Sequence, residues 1–252
     1  DGQLQNVQTV DASAAAAGVK VDLHSQNESL AFIGSSFSDT ITAGPGWDLL
    51  IGGGGNDSIN GGIGMATAGY GGKRSSYSVS KTSTAVTVRD NDGTDGSDGT
   101  DTLTSIERLR FSDVKLAFDT GGSAGNTAKI IGAAFGVGYL SNTPENASIK
   151  GQGISIFDAG ATLQQLSAAI VKLPVFVNMA GSSSNSDFVK FIFNNVIGQP
   201  ATEDEVNFLS SYLNNGMTQG DFLATVANLE VNLQHVGLVG VGGLASTGLE
   251  YS

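Results

Sequence analysis

Between Ile33 and Gly64 the chain reads IGSSFSDTITAGPGWDLLIGGGGNDSINGGIG, and Asp39, Asp48 and Asp57 recur there every nine residues. Two places after each stands an apolar residue: Ile41, Leu50 and Ile59. Each unit reads as a glycine-rich turn closed by an aspartate and followed by a very short strand. Glycine adopts tight or left-handed backbone without a Cβ penalty, so such a turn can fold its carbonyls inward. A plain loop has no reason to keep both the acidic and the apolar period, and repetition at this interval is the mark of a stacked coil.

Carbonyl and carboxylate oxygens are hard ligands of the kind calcium takes. The unit Gly52 to Asn60, GGGGNDSIN, resembles the nonapeptide GGxGxDxUx of RTX (repeats-in-toxin) proteins. The neighbouring units match in part. Ser35 and Phe37 replace two glycines in the unit from Gly34 to Thr42, Ala43 replaces the first glycine of the next, and Ala66 stands for the aspartate after Asp57. The resemblance implies a parallel β-roll with Ca²⁺ in its turns, held by Asp39, Asp48 and Asp57 with the turn residues Gly34, Ser36, Gly52, Gly54 and Asn56. Successive units turn opposite edges of a flattened coil, so an ion between stacked turns is shared by units eighteen residues apart. Asp39 and Asp57 meet that condition. Asp48 would need Leu30 or Ala66 as its mate, and neither ligates through a side chain. The register therefore predicts one well-formed site at Asp39/Asp57 and a weaker one near Asp48.

Upstream, NVQTVDASAAA and VKVDLHS read as short strands, extra coils of the same solenoid. They resemble the stretches that precede RTX repeats in bacterial surface proteins. His24 is expected on an exposed turn. Downstream, Tyr77, Val79, Val86 and Val88 alternate around a Ser/Thr-rich connection, the pattern of a β-hairpin covering the open end of the roll. The run DNDGTDGSDGTD brings Asp90, Asp92, Asp95, Asp98 and Asp101 close in sequence. Two carboxylates about 4 Å apart repel by roughly 4 kcal/mol at an effective dielectric near 20, so a compact arrangement of these five would want a cation. The spacing fails the EF-hand loop, and a solvated acidic loop is the alternative to a second ion site. LTSIERLRFSDVKLAFD then returns to a strand-and-turn pattern, resembling the end of RTX regions in type I secreted proteins.

Near Gly121 the periodicity becomes helical. Phe188, Phe191, Ile192 and Val196 share one helix face behind Ser184 and Asn185, and Pro200 stops that helix. Thr202 with Glu205 forms a capping-box pattern ahead of Val206, Leu209 and Leu213, and a third helix carries Phe222, Leu223, Val226 and Leu229. The stretch from Asp158 aligns without gaps with that from Asn214, fifty-six residues later: Gly160 with Gly216, Thr162 with Thr218, Ile170 with Val226. The expected architecture is multidomain, β then α. Residues 1–120 form a short parallel β-roll or β-solenoid with a capping hairpin. Residues 121–252 form an all-α bundle of two related three-helix units, about 126–181 and 186–237. The second copy resembles a helical domain that often follows RTX repeats.

Composition narrows the function. The chain has 12 basic against 24 acidic residues, a net charge of -12, which repels nucleic acid and anionic membranes and favours cations. There is no cysteine, the only histidines are His24 and His235, and no nucleophile motif, zinc motif or phosphate loop occurs. No apolar run has membrane-spanning length. The sequence is therefore read as non-catalytic, and as the C-terminal portion of something longer. The resemblance implies a calcium-binding module of a type I secreted extracellular bacterial protein, recognised by the secretion machinery and folding on calcium after export. The apolar, weakly acidic tail has the loose composition of a C-terminal secretion signal. One alternative is a surface-layer or matrix protein assembling with itself. Another is an adhesion module using Trp47 or Tyr70 on cell-surface polysaccharide.

Overall fold

The computed structural model describes residues 6–94, 97–239 and 243–252. It divides into two units, one running through Phe118 with Ser246–Gly248, the other Asp119–Ala245 with Leu249–Ser252. The first unit is a β-solenoid of about three turns built from two sheets of very short strands. One holds β1 (Thr9–Asp11), β3 (Ala31–Ile33), β5 (Leu49–Ile51), β7 (Thr67–Gly69) and β11 (Arg108–Arg110), all parallel, with β12 (Lys115–Ala117) antiparallel to β11. The other holds β2 (Lys20–Asp22), β4 (Thr40–Thr42), β6 (Ser58–Asn60) and β10 (Thr100–Thr104), also parallel, then β9 (Val86–Asp90) and β8 (Tyr77–Lys81) as an antiparallel hairpin on β10.

Thr40 lies opposite Ser58, and Leu49 opposite Thr67, so one full coil is eighteen residues. Nine residues turn one edge, which is why the acidic period in the sequence is half the structural repeat. The middle residue of each three-residue strand faces inward. Ile41, Ile59 and Leu103 from one sheet, and Phe32, Leu50, Ala68 and Leu109 from the other, are all at most 1% exposed and fill the space between the sheets. Hairpin residues Tyr77, Val86 and Val88 join that core. The segment holding the hairpin interrupts the coil: Ser58 pairs with Thr102, forty-four residues on, and the solenoid then resumes its register.

The second unit is helical. Its elements are α1 (Ser123–Phe135), α2 (Pro144–Asp158), α3 (Leu163–Ile170), α4 (Pro174–Ala180), α5 (Asn185–Ile197), α6 (Glu203–Asn214), α7 (Gln219–Ala227) and α8 (Glu230–His235), then the first half of α9 (Leu244–Thr247), and β13 (Leu249–Tyr251). Phe176 of α4 sits at the centre of the core, its ring beside those of Phe135, Phe188 and Phe191. Lys150 of α2 is fully buried. Its ammonium donates to the carbonyls of Leu140 and Ser141 and to Asn142 Oδ1, while burial lowers its pKa.

The two stretches expected to be related three-helix units hold four helices each, α1 to α4 and α5 to α8. Pro174 and Glu230 begin new short helices after the extended N-cap residues Leu173 and Leu229, so Leu229 opens α8 and does not belong to the face of α7. A helix also occupies Ser148 to Phe157, where the sequence lacks a clean amphipathic pattern, because α2 contains Gly151 and Gly153. Gly153 packs so closely on α1 that a Cβ would lie 2.7 Å from the Thr127 methyl. Among the described residues no single helix is long and apolar enough to cross a membrane.

Helix starts follow their caps. Thr202 Oγ1 accepts from the Glu205 N–H, and Glu205 Oε2 accepts from the Thr202 N–H at 2.7 Å, so two otherwise orphaned donors are satisfied reciprocally. Thr202→Ala is expected to lower stability by about 1 kcal/mol, read by urea unfolding followed through helical circular dichroism. An unchanged midpoint would show that α6 is held by its packing alone.

Candidate metal centre

At each solenoid edge the chain leaves one sheet and enters the other, and the N–H just before the new strand has no ladder partner of its own. Left buried and unpaired it would be destabilising. The acidic residues solve this in the same way at every coil. Asp39 Oδ1 accepts from Val19 N at 2.7 Å, Asp57 Oδ1 from Asp39 N at 2.8 Å and Asp101 Oδ1 from Asp57 N at 2.9 Å. On the opposite edge Asp48 Oδ1 accepts from Leu30 N at 3.0 Å and Glu107 Oε2 from Ala66 N at 2.9 Å. Each carboxylate reaches back one coil to the residue standing at its own position. The aspartate period is thus a buried hydrogen-bond ladder: Asp39, Asp48, Asp57 and Asp101 are at most 3% exposed.

Asp39 and Asp57, expected as a matched pair, are neighbours on this ladder with different surroundings. Asp39 also accepts at Oδ2 from Ser35 N and at Oδ1 from the Ser35 hydroxyl, so both its oxygens have donors. In the next coil Gly53 stands where Ser35 does and supplies no hydroxyl. Among the described residues Asp57 Oδ2 is buried without a hydrogen-bond partner, lying where a side chain on Gly52 would begin. Burial pushes the Asp57 carboxyl up to about 6, helped by the negative charges of Asp39 and Asp98 and opposed by the Asp39 N–H. Asp101 is pushed up to about 7, again mainly by burial, with the charges of Asp57 and Asp98 adding to it.

The turn residues stack closely around this point. Gly34 donates to the Ile51 carbonyl, and a Cβ on Gly34 would lie 2.1 Å from the Gly52 carbonyl oxygen. Gly54 donates to the Ser35 carbonyl at 3.0 Å, and the Ser36 carbonyl faces Gly54. Asn56 donates from its backbone to the Ser38 hydroxyl and accepts at Oδ1 from Thr100 N.

The acidic run divides in two. Asp90 ends β9 and Asp92 lies in the loop beyond it: Asp90 accepts from the backbones of Asp92 and Asp98, and Asp92 from the N–H and hydroxyl of Thr94, which holds its carboxyl below the usual range. Asp98 and Asp101 return to the solenoid, where Tyr77 and Tyr70 donate their hydroxyls to them. Asp95 lies outside the described residues. Tyr70 packs against Tyr77 and Phe111 with its hydroxyl on Asp101, so its ring is part of the solenoid's own packing. Trp47, by contrast, is 55% exposed, and His24 lies on an exposed turn with Nδ1 2.7 Å from Asp22.

No family model and no curated protein matches the chain. Among the described residues no three or more His, Asp or Glu side chains are gathered to hold a metal ion. A cation here would rest on the partnerless Asp57 oxygen together with turn carbonyls. That donor set is all oxygen, low in charge and suited to a hard divalent ion. Sequence reasoning placed Asp101 in the loop and passed over Glu107. The signal available for both was the apolar residue two places on, Leu103 and Leu109, the same offset that follows Asp39, Asp48 and Asp57.

Proposed function

We propose that the solenoid is a non-catalytic, RTX-type calcium module that completes its folding when it meets calcium outside the cell, and that the helical unit is a duplicated bundle serving as its companion domain. The observation that carries this reading is the Asp57 oxygen, buried without a donor and with two further carboxylates acting on it. A charge so placed favours either a proton or a cation. In calcium-poor cytosol the acidic ladder and a core of three-residue strands leave the solenoid weakly stable and exportable by a type I pathway. At extracellular calcium, binding energy becomes folding energy. The duplication draws on matched features fifty-six residues apart: Gly160 and Gly216 both have positive φ, and Thr162 and Thr218 both cap the following helix.

The test is thermal unfolding in EGTA and across a calcium titration, followed through Trp47, the only tryptophan and a solenoid residue. Calcium is expected to raise the melting temperature with a midpoint of about 10⁻⁴ to 10⁻³ M, and to add about 2.7 kcal/mol at a hundred times the dissociation constant. Asp57→Asn should abolish the response and Asp92→Asn should leave it intact. A melting temperature unmoved by calcium sinks the proposal.

A further inference from the structure

The helical unit holds a cavity of about 360 Å³ between α1, α2, α3 and α4. Its lining grades from the interior to the surface. Ile131 and Ile170 lie at the buried end, while Ile156, Leu173 and Val175 at the mouth are 40%, 43% and 57% exposed. Among the described residues no charged side chain lines it. Two polar groups do, and both are weakly engaged: among the described residues the Tyr139 hydroxyl reaches the Met179 sulfur at 4.0 Å, and the Gln152 amide reaches Ser148 Oγ at 3.5 Å. These are the limits of hydrogen-bond distance.

We propose that this cavity is a binding site for a single uncharged aliphatic chain with a small polar head, such as a long-chain alcohol. An apolar cavity of this size, continuous with exposed apolar residues at its mouth, falls in the range of small-molecule sites. Its volume divided by the ~30 Å³ that one water-sized unit takes in a liquid gives room for roughly ten to twelve carbons. The depth favours a chain over a flat partner surface, since the occupant's tail would meet buried isoleucines while its head stays at the mouth. The absence of lining charge favours a neutral head that Tyr139 or Gln152 can hydrogen-bond. This site is independent of the calcium reading and lies wholly within the helical unit.

The experiment uses the full chain and the uncharged dye N-phenyl-1-naphthylamine, displaced by straight-chain alcohols from hexanol to hexadecanol. One molar equivalent should bind. Affinity should rise about fourfold per methylene, the transfer value for a buried CH₂, and level off near dodecanol as the cavity fills. Two variants should weaken binding at least tenfold with an unchanged melting temperature. Val175→Trp plugs the mouth from an exposed position, and Leu166→Phe fills the wall as Phe222 does fifty-six residues later. Affinity that climbs to hexadecanol without a break, a stoichiometry well above one, or wild-type binding by both folded variants would show non-specific adsorption and overturn the proposal.

Discussion

Without calcium, the solenoid is expected to lose stability as the pH rises from about 4 to about 7, the reverse of what a chain stabilised by ionised carboxylates would do. The reason lies in two buried groups. The carboxyls of Asp57 and Asp101 ordinarily titrate at 3.8 and are raised in the folded protein to about 6 and about 7, in each case chiefly by burial. Across that interval the folded chain holds more protons than the unfolded chain, so unfolding releases protons and is favoured by higher pH. The contribution is fully present below the unfolded value and gone above the folded one. At about 1.4 kcal/mol for each pH unit separating the unfolded from the folded value, either group alone changes stability by a few kcal/mol, and because the two charges act on each other their effects do not simply add. That is a large share of the 5–15 kcal/mol typical of a folded protein. Urea unfolding in EGTA, followed through Trp47, should give a lower midpoint at pH 8 than at pH 5. Asp57→Asn keeps an acceptor for the Asp39 N–H and removes the charge, so it should flatten the profile and raise the midpoint at pH 8. Calcium should restore more stability at pH 8 than at pH 5. A midpoint that is flat or rises with pH in the wild-type chain would mean that the carboxylates are not desolvated as the structure has them.

Much of this was readable because the solenoid writes its geometry into a short period. The offset of two between an acidic residue and a buried apolar one follows from strand alternation. The spacing of nine between Asp39, Asp48 and Asp57 follows from two edges per eighteen-residue coil. The hairpin residues Tyr77 to Val88 declared themselves by alternation, α5 and α6 by their caps, and α7 by the apolar residues Phe222, Leu223 and Val226. What was hidden depended on distance in the chain. Asp101 occupies the rung above Asp57, but the inserted segment sets Thr102 forty-four positions after its partner Ser58 and breaks the period. The hydrogen bonds of the ladder were hidden too, because a carboxylate's partner is a backbone N–H one coil earlier and only the register reveals it. Ser35 shows the same limit. In the sequence it was only a departure from the glycine repeat, yet its hydroxyl and N–H satisfy Asp39, while among the described residues Asp57 keeps an open oxygen. Helices α4 and α8 are too short to carry a periodic signal, and the cavity beside α4 exists only through packing between distant segments.

Gly34→Ala is expected to unfold the solenoid at temperatures where the helical unit still gives its circular dichroism signal. A Cβ at this position would lie 2.1 Å from the Gly52 carbonyl oxygen and 2.3 Å from Asp39 Oδ2. One obstacle is backbone of the adjacent coil, fixed by the Gly34 N–H bond to Ile51 and by β3–β5 pairing, and the other is a carboxylate held by three donors. Neither has a rotamer into which to retreat. Relief requires the coils to move apart, and stacked strands keep a spacing near 4.8 Å only while their ladder hydrogen bonds hold. The loss should therefore exceed the ~1–3 kcal/mol usual for overpacking a core. Gly71 provides the control. It lies in the same unit, a Cβ there would meet nothing within 4 Å, and its φ is not in the left-handed range. Gly71→Ala should thus be neutral or stabilise by about 0.4–1 kcal/mol through the unfolded chain. The pair separates close approach from generic loss of glycine flexibility. If both variants melt alike through Trp47, the tight stacking of turns at Gly34 and Gly52, and with it the enclosure of the Asp57 oxygen, does not hold in solution.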